Sequence, residues 1–89
     1  MSDSAFKALS DPTRREILRL LGESDLSAGA IVDRFEISQP AISRHLAVLR
    51  QAGLVVAQRQ GQNVVYSLDT TVFQDVVRAL LQLGEGRKK

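Results

Sequence analysis

The sequence predicts a mainly α domain of the α+β class, a helical core that carries one β-hairpin. Three observations predict it. Apolar residues recur at helical spacing from residue 3 to residue 52 and again from 70 to 83. Between 54 and 68 the period falls to two, on either side of Gly61-Gln62-Asn63. Ser, Asp, Pro and Gly stand where the pattern changes, as helix caps and chain breaks require.

Taken in order, residues 3–9 form a short helix in which Phe6 and Leu9 are spaced i,i+3. Ser10-Asp11-Pro12 breaks and restarts the chain, with Asp11 as N-cap and Pro12 at the first helical position, where its missing N–H is no loss. A second helix follows over 12–21. Ile17, Leu18, Leu20 and Leu21 face inward, Arg14, Arg15 and Glu16 largely outward, and Gly22 is the stop. Residues 23–26 read as a loop, and Ser27 caps a third helix over 28–35 with Ala30, Ile31 and Phe35 inward. Ser38 caps the fourth, 39–52. Pro40 lies in its first turn, and Ile42, Leu46 and Leu49 give an i, i+4, i+7 apolar seam. Gly53 is suited to the left-handed residue that closes it.

The hairpin spans 54–68, with Val64, Tyr66 and Leu68 on one face of its second strand and Val65 and Ser67 on the other. Asp69 or Thr70 caps the last helix, 70–83, which Gly84 ends, and 84–89 form a tail. Four helices, two strands and a final helix make a winged helix-turn-helix, here a single domain over residues 1–89.

A chain of 89 residues buries only about 60% of its unfolded surface, so a partner subunit would add stability. Composition excludes several classes. With no cysteine there is no disulfide, thiolate metal site or thiol redox sensor. No apolar run is long enough to span a bilayer and no signal-peptide layout opens the chain, so a cytoplasmic protein without membrane contact is expected. No glycine-rich phosphate loop or paired acids offer a catalytic site. One histidine cannot supply the three or four ligands that zinc takes, so neither metal nor other cofactor is expected.

Net charge is +2, much of it from Arg87-Lys88-Lys89. Its distribution says more. From Ile37 to Leu68 there is no Asp or Glu, while Arg44, His45, Arg50 and Arg59 fall inside that block. An acid-free surface is one that can approach phosphate, although core helix and hairpin are poor in charge in any case.

A helix-turn-helix reads base edges with residues near the N-terminus of its second helix. Ser38, Gln39, Pro40, Ser43 and Arg44 lie there, off the apolar seam. Gln pairs bidentately with adenine, Arg with guanine, and Ser with several partners, while Pro offers an apolar contact to a thymine methyl. At the hairpin tip, Arg59, Gln60, Gln62 and Asn63 suit phosphate or minor-groove acceptors. Ser27, Arg14 and Arg50 are weaker candidates for phosphate. His45 reads first as a partly buried, hydrogen-bonded residue that orients the helix, with a DNA contact as the alternative. The apolar face of the last helix (Val72, Phe73, Val76, Val77, Leu80), together with Phe6 and Leu9, exceeds what one small core covers and suggests a homodimer interface.

Several segments together resemble the ArsR/SmtB family of bacterial repressors. They are Ser10-Asp11-Pro12-Thr13-Arg14-Arg15 with Ile17-Leu18, Ile37-Ser38-Gln39-Pro40-Ala41-Ile42-Ser43 with His45-Leu46, Gly53-Leu54-Val55, and Tyr66-Ser67-Leu68. The resemblance implies a homodimeric winged-helix repressor on an imperfect palindrome of double-stranded DNA, with the first and last helices at the dimer interface. It places DNA contacts at Gln39, Pro40, Ser43 and Arg44 and a wing tip around 59–63. Metal sensors of that family use a cysteine pair on the third helix or Asp/His sets on the last. Here the third helix has no cysteine and the last has Asp75 but no histidine. The chain is therefore similar to the short, metal-independent autorepressor branch, released by another protein rather than an ion. A protein or small-molecule effector stays open. So does a second function, a winged-helix module that binds proteins through the same surface without sequence-specific DNA binding.

Overall fold

The computed structural model describes residues 3–86, and Arg87-Lys88-Lys89 lie outside the described residues. The elements are α1 (Asp3–Ala8), α2 (Pro12–Glu23), β1 (Leu26–Ser27), α3 (Ala28–Val32), α4 (Gln39–Gln51), β2 (Val55–Gln60), β3 (Asn63–Leu68) and α5 (Thr70–Gly86).

The helices start where side chains satisfy their first N–H groups. Asp11 accepts from the Arg14 N–H at 3.0 Å, Ser27 from Ala30 at 3.1 Å, Ser38 from Ala41 at 3.2 Å and Asp69 from Thr71 at 3.0 Å. The end of α4 is equally specific. Gly53 has φ 79°, its N–H donates to Arg50 O, and the Leu54 N–H reaches back to Leu49 O, each at 3.0 Å. This pair of bonds is a Schellman motif, and its apolar partners Leu49 and Leu54 are both fully buried.

Ile17, Leu18 and Leu21 of α2, Ile31 of α3, and Ile42, Leu46 and Leu49 of α4 form one buried cluster with Ala8, Leu54 and Val55. Thus the apolar seam of α4 is spent on this core, and its Gln39, Ser43 and Arg44 side is left to solvent. The antiparallel sheet has the order β1-β3-β2. Val55 pairs with Leu68 at the hairpin base and Gln60 with Asn63 at its tip. The two-residue turn has positive φ only at Gly61 (65°), the type II′ pattern that matches strand twist.

Four boundaries differ from the sequence expectation. The second helix runs through Gly22 to Glu23, because Arg19 holds Glu23 at 2.9 Å one turn on and the Ser24 N–H still finds Leu20 O. Residues 26–27, expected as loop and cap, add a third strand: Leu26 pairs with Tyr66 and Ser27 with Val65. The third helix stops at Val32 instead of residue 35, followed by turns over 33–34. Gly84 does not end α5, which continues to Gly86. A glycine inside a helix costs about 1 kcal/mol against alanine but does not forbid it, and Gly84 has no positive φ.

Candidate nucleic-acid interface

The two faces of α4 separate cleanly. Ile42, Leu46 and Leu49 are buried, whereas Ser38, Gln39, Pro40, Ser43, Arg44, Ala47 and Arg50 are exposed. No acidic side chain lies in its first turn, so the free N–H groups and dipole of the helix start are left unneutralised and favour an anion. Arg59, Gln60, Gln62 and Asn63 are exposed at the hairpin tip.

The arginines divide by partner. Arg19 pairs with Glu16 and Glu23, and Arg78 with Asp75. Arg44, Arg50 and Arg59, by contrast, are exposed and pair with no acid among the described residues. Three cations inside the acid-free block are thus exposed without an acid partner, as are Lys7, Arg15 and Arg34 outside it. The acid-free block is therefore a property of the surface and not only of buried helix and strand.

Arg14 departs from its expected outward position. Its Nε donates to Ala8 O at 2.8 Å, Nη2 to Lys7 O at 3.2 Å and Nη1 to His45 Nδ1 at 3.2 Å. All three nitrogens of the half-buried Arg14 guanidinium are thus engaged inside the protein. His45 is partly buried, its side chain 21% accessible, with Nδ1 also 3.9 Å from Asp11 Oδ2. Ser27 is half-buried and its hydroxyl serves the start of α3.

The expected dimer residues split into two groups. Val76 is buried within its own chain, and Leu9, Val72 and Phe73 pack against that chain's core, so they support α5 rather than lie free. Phe6, Val77 and Leu80 are exposed at 39%, 53% and 52%, joined by Leu81 at 62% and Leu83 at 66%. Phe73, Val77 and Leu81 line one side of a groove of about 530 Å³ along α5, with Thr70, Gln74 and Arg78. The i, i+4, i+8 spacing of Phe73, Val77 and Leu81 was present in the sequence as a helical stripe. The exposure of Val77 and Leu81 beside the half-buried Phe73 was not, because it depends on which face the core takes.

Among the described residues, no group of three or more His, Asp or Glu is placed to hold a metal ion, and no helix is long and apolar enough to cross a membrane.

A tri-helical core with a two-faced fourth helix, followed by a hairpin with a basic, amide-rich tip, defines a winged helix-turn-helix DNA-binding protein. Residues 11–56, from the α2 cap into the first strand of the hairpin, match the family model for bacterial regulatory proteins of the arsR family. The chain belongs to the ArsR family and is a DNA-binding transcriptional regulator. It is 51% identical over 79 residues to the transcriptional repressor SdpR of Bacillus subtilis, covering 89% of this chain and 88% of that one. It is 39% identical over 78 residues to the transcriptional activator HlyU of Vibrio cholerae, covering 88% and 72% respectively. Among solved structures, an ArsR-like transcriptional regulator from Rhodococcus sp. RHA1 superposes with a TM-score of 0.88 at 37% identity, covering 94% of this chain and 77% of that one.

Proposed function

We propose that the protein is a homodimeric repressor that occupies an imperfect palindromic operator, with Gln39, Pro40, Ser43 and Arg44 at base edges and the 59–63 hairpin tip beside them. The observation that carries this reading is the division of α4. Its apolar side is spent on the core, while its Gln/Ser/Arg side is exposed with Arg44 unpaired. In this reading Ser38 and the N-terminus of α4 meet phosphate, and Arg50 and Arg59 add sequence-independent attraction. Ser27 stands at the start of α3, where its capping hydroxyl and a phosphate are compatible.

The exposed Phe6, Val77, Leu80, Leu81 and Leu83 support dimerisation, since a two-fold axis through α1 and α5 covers them. That axis sets two α4 helices roughly 34 Å apart, one DNA turn. Repression is supported by SdpR, the relative with 51% identity, which is itself named a repressor. A cytoplasmic location belongs to the same reading, since that is where a bacterial operator lies.

Selection of binding sites from a randomised DNA pool tests the reading. It expects recovered sites with two similar half-sites about one helical turn apart, and transcripts from a promoter carrying such a site that fall as protein is added. Recovery of no common sequence, with binding that does not strengthen at low salt, would instead support a protein-interaction module. A rise in transcripts would reverse the sign of regulation.

A further inference from the structure

One polar cluster takes no part in the DNA face or the α1/α5 face: Asp11, Arg14 and His45, where α1, α2 and α4 meet. Arg14 accepts nothing and donates three ways. Two arms engage the carbonyls at the end of α1, Ala8 O at 2.8 Å and Lys7 O at 3.2 Å. The third reaches His45 Nδ1 on α4, 31 residues away in sequence, at 3.2 Å. Asp11 is fixed in turn by the Arg14 backbone N–H, and its carboxylate lies 3.9 Å from the same ring nitrogen.

We propose that Arg14 and His45 are positioning residues for DNA reading: the guanidinium, anchored on α1, grips the His45 ring and fixes the rotation of α4 about its axis. This inference rests on the reading of α4 as the recognition helix. His45 is well placed for such a grip, since it follows the exposed Ser43 and Arg44 and precedes the buried Leu46. The apolar seam holds α4 against the core through contacts that are non-directional. A directional bond at the edge of the seam resists rotation. With side-chain tips about 6 Å from the helix axis, a turn of about 10° shifts them roughly 1 Å. That is enough to spoil a bidentate bond to a base edge.

The bond has a protonation requirement. Arg14 only donates, so Nδ1 must accept, and the ring is then neutral with its proton on Nε2. Among the described residues two charged groups meet the ring: Asp11, the cap of α2, and Arg14 in its first turn.

The test uses the full chain, a duplex selected from the random pool and a scrambled duplex, at fixed salt. The readout is the ratio of the two Kd values. His45→Ala and Arg14→Lys are each expected to lower that ratio roughly tenfold, and together by less than the product of the single effects. His45→Asn, whose side-chain oxygen stands near the Nδ1 position, is expected to keep the ratio. If His45→Ala fails to fold, Arg14→Lys and the rescue by His45→Asn carry the same decision. Wild-type protein that selects no sequence overturns the reading of α4 itself. A selective wild type with unchanged ratios in the variants, or with effects that multiply fully, overturns the positioning role alone.

Discussion

Replacing Gly53 with alanine isolates one backbone decision at the exit of α4. Gly53 has φ +79°, and a Cβ built on it would stand 3.0 Å from Cγ2 of Val72 on α5. The left-handed conformation costs an L-residue about 1–2 kcal/mol. The Val72 contact adds to this, because Val72 packs against the core cluster and has little room to retreat. A total of about 2–3 kcal/mol follows, the αL cost plus a modest overpacking penalty. For a domain of this size that corresponds to a fall in Tm of roughly 10–20 °C.

Gly22→Ala is the matched control. Gly22 lies inside α2 without positive φ, and its added Cβ would meet Leu68 at an ordinary 3.8 Å. It should stabilise by about 0.5–1 kcal/mol through helix propensity and a less free unfolded chain. Urea or thermal unfolding of both variants, at one protomer concentration because a dimer's stability depends on it, gives the comparison. Equal stability of Gly53→Ala and wild type, or the same sign of change at both glycines, would refute the claim that the turn after α4 requires a left-handed residue.

Gln39→Ala or Arg44→Ala should cost roughly 1–3 kcal/mol on the preferred DNA site and relax base preference, measured by competition with mutated duplexes; uniform weakening on all duplexes would move base reading elsewhere. Arg59→Ala should weaken binding to every sequence and reduce the salt slope by about one, and an unchanged slope would remove its phosphate contact. Val77→Asp or Leu80→Asp should give monomers in sedimentation, since each places a charge on the exposed apolar face of α5; a dimer surviving both changes would shift the interface away from α5. Asp11→Ala should cost about 0.5–2 kcal/mol as a lost N-cap. The Arg14 backbone bond depresses the folded-state pKa of Asp11. Its charge-dependent stability is therefore present above the unfolded value and lost as pH falls through the lower folded one. The stability gap between wild type and Asp11→Asn should close on acidification, and a gap that widens would contradict this sign.

Local sequence determined much of this protein because much of its structure is locally encoded. Caps at Asp11, Ser27 and Ser38, the left-handed Gly53, the Ile42/Leu46/Leu49 seam and the Gly61 turn each depend on residues a few positions apart. The exposed Gln39, Ser43 and Arg44 were legible for the same reason: once the seam is known, helical period sets the opposite face. Two-residue β1 was not, because it has no periodicity of its own and exists only because Tyr66 and Val65 offer an unpaired strand edge.

Tertiary structure decided the rest. It turned Arg14 from a presumed surface charge into a three-way donor, since its acceptors are two α1 carbonyls and a histidine 31 residues away. It also sorted the apolar residues of α5, burying Val76 and leaving Val77, Leu80, Leu81 and Leu83 exposed. A helical stripe states how much apolar surface must be covered. Which part the chain's own core covers, and which part is left for a partner, depends on where that helix docks, and the docking is set by side chains far away in sequence.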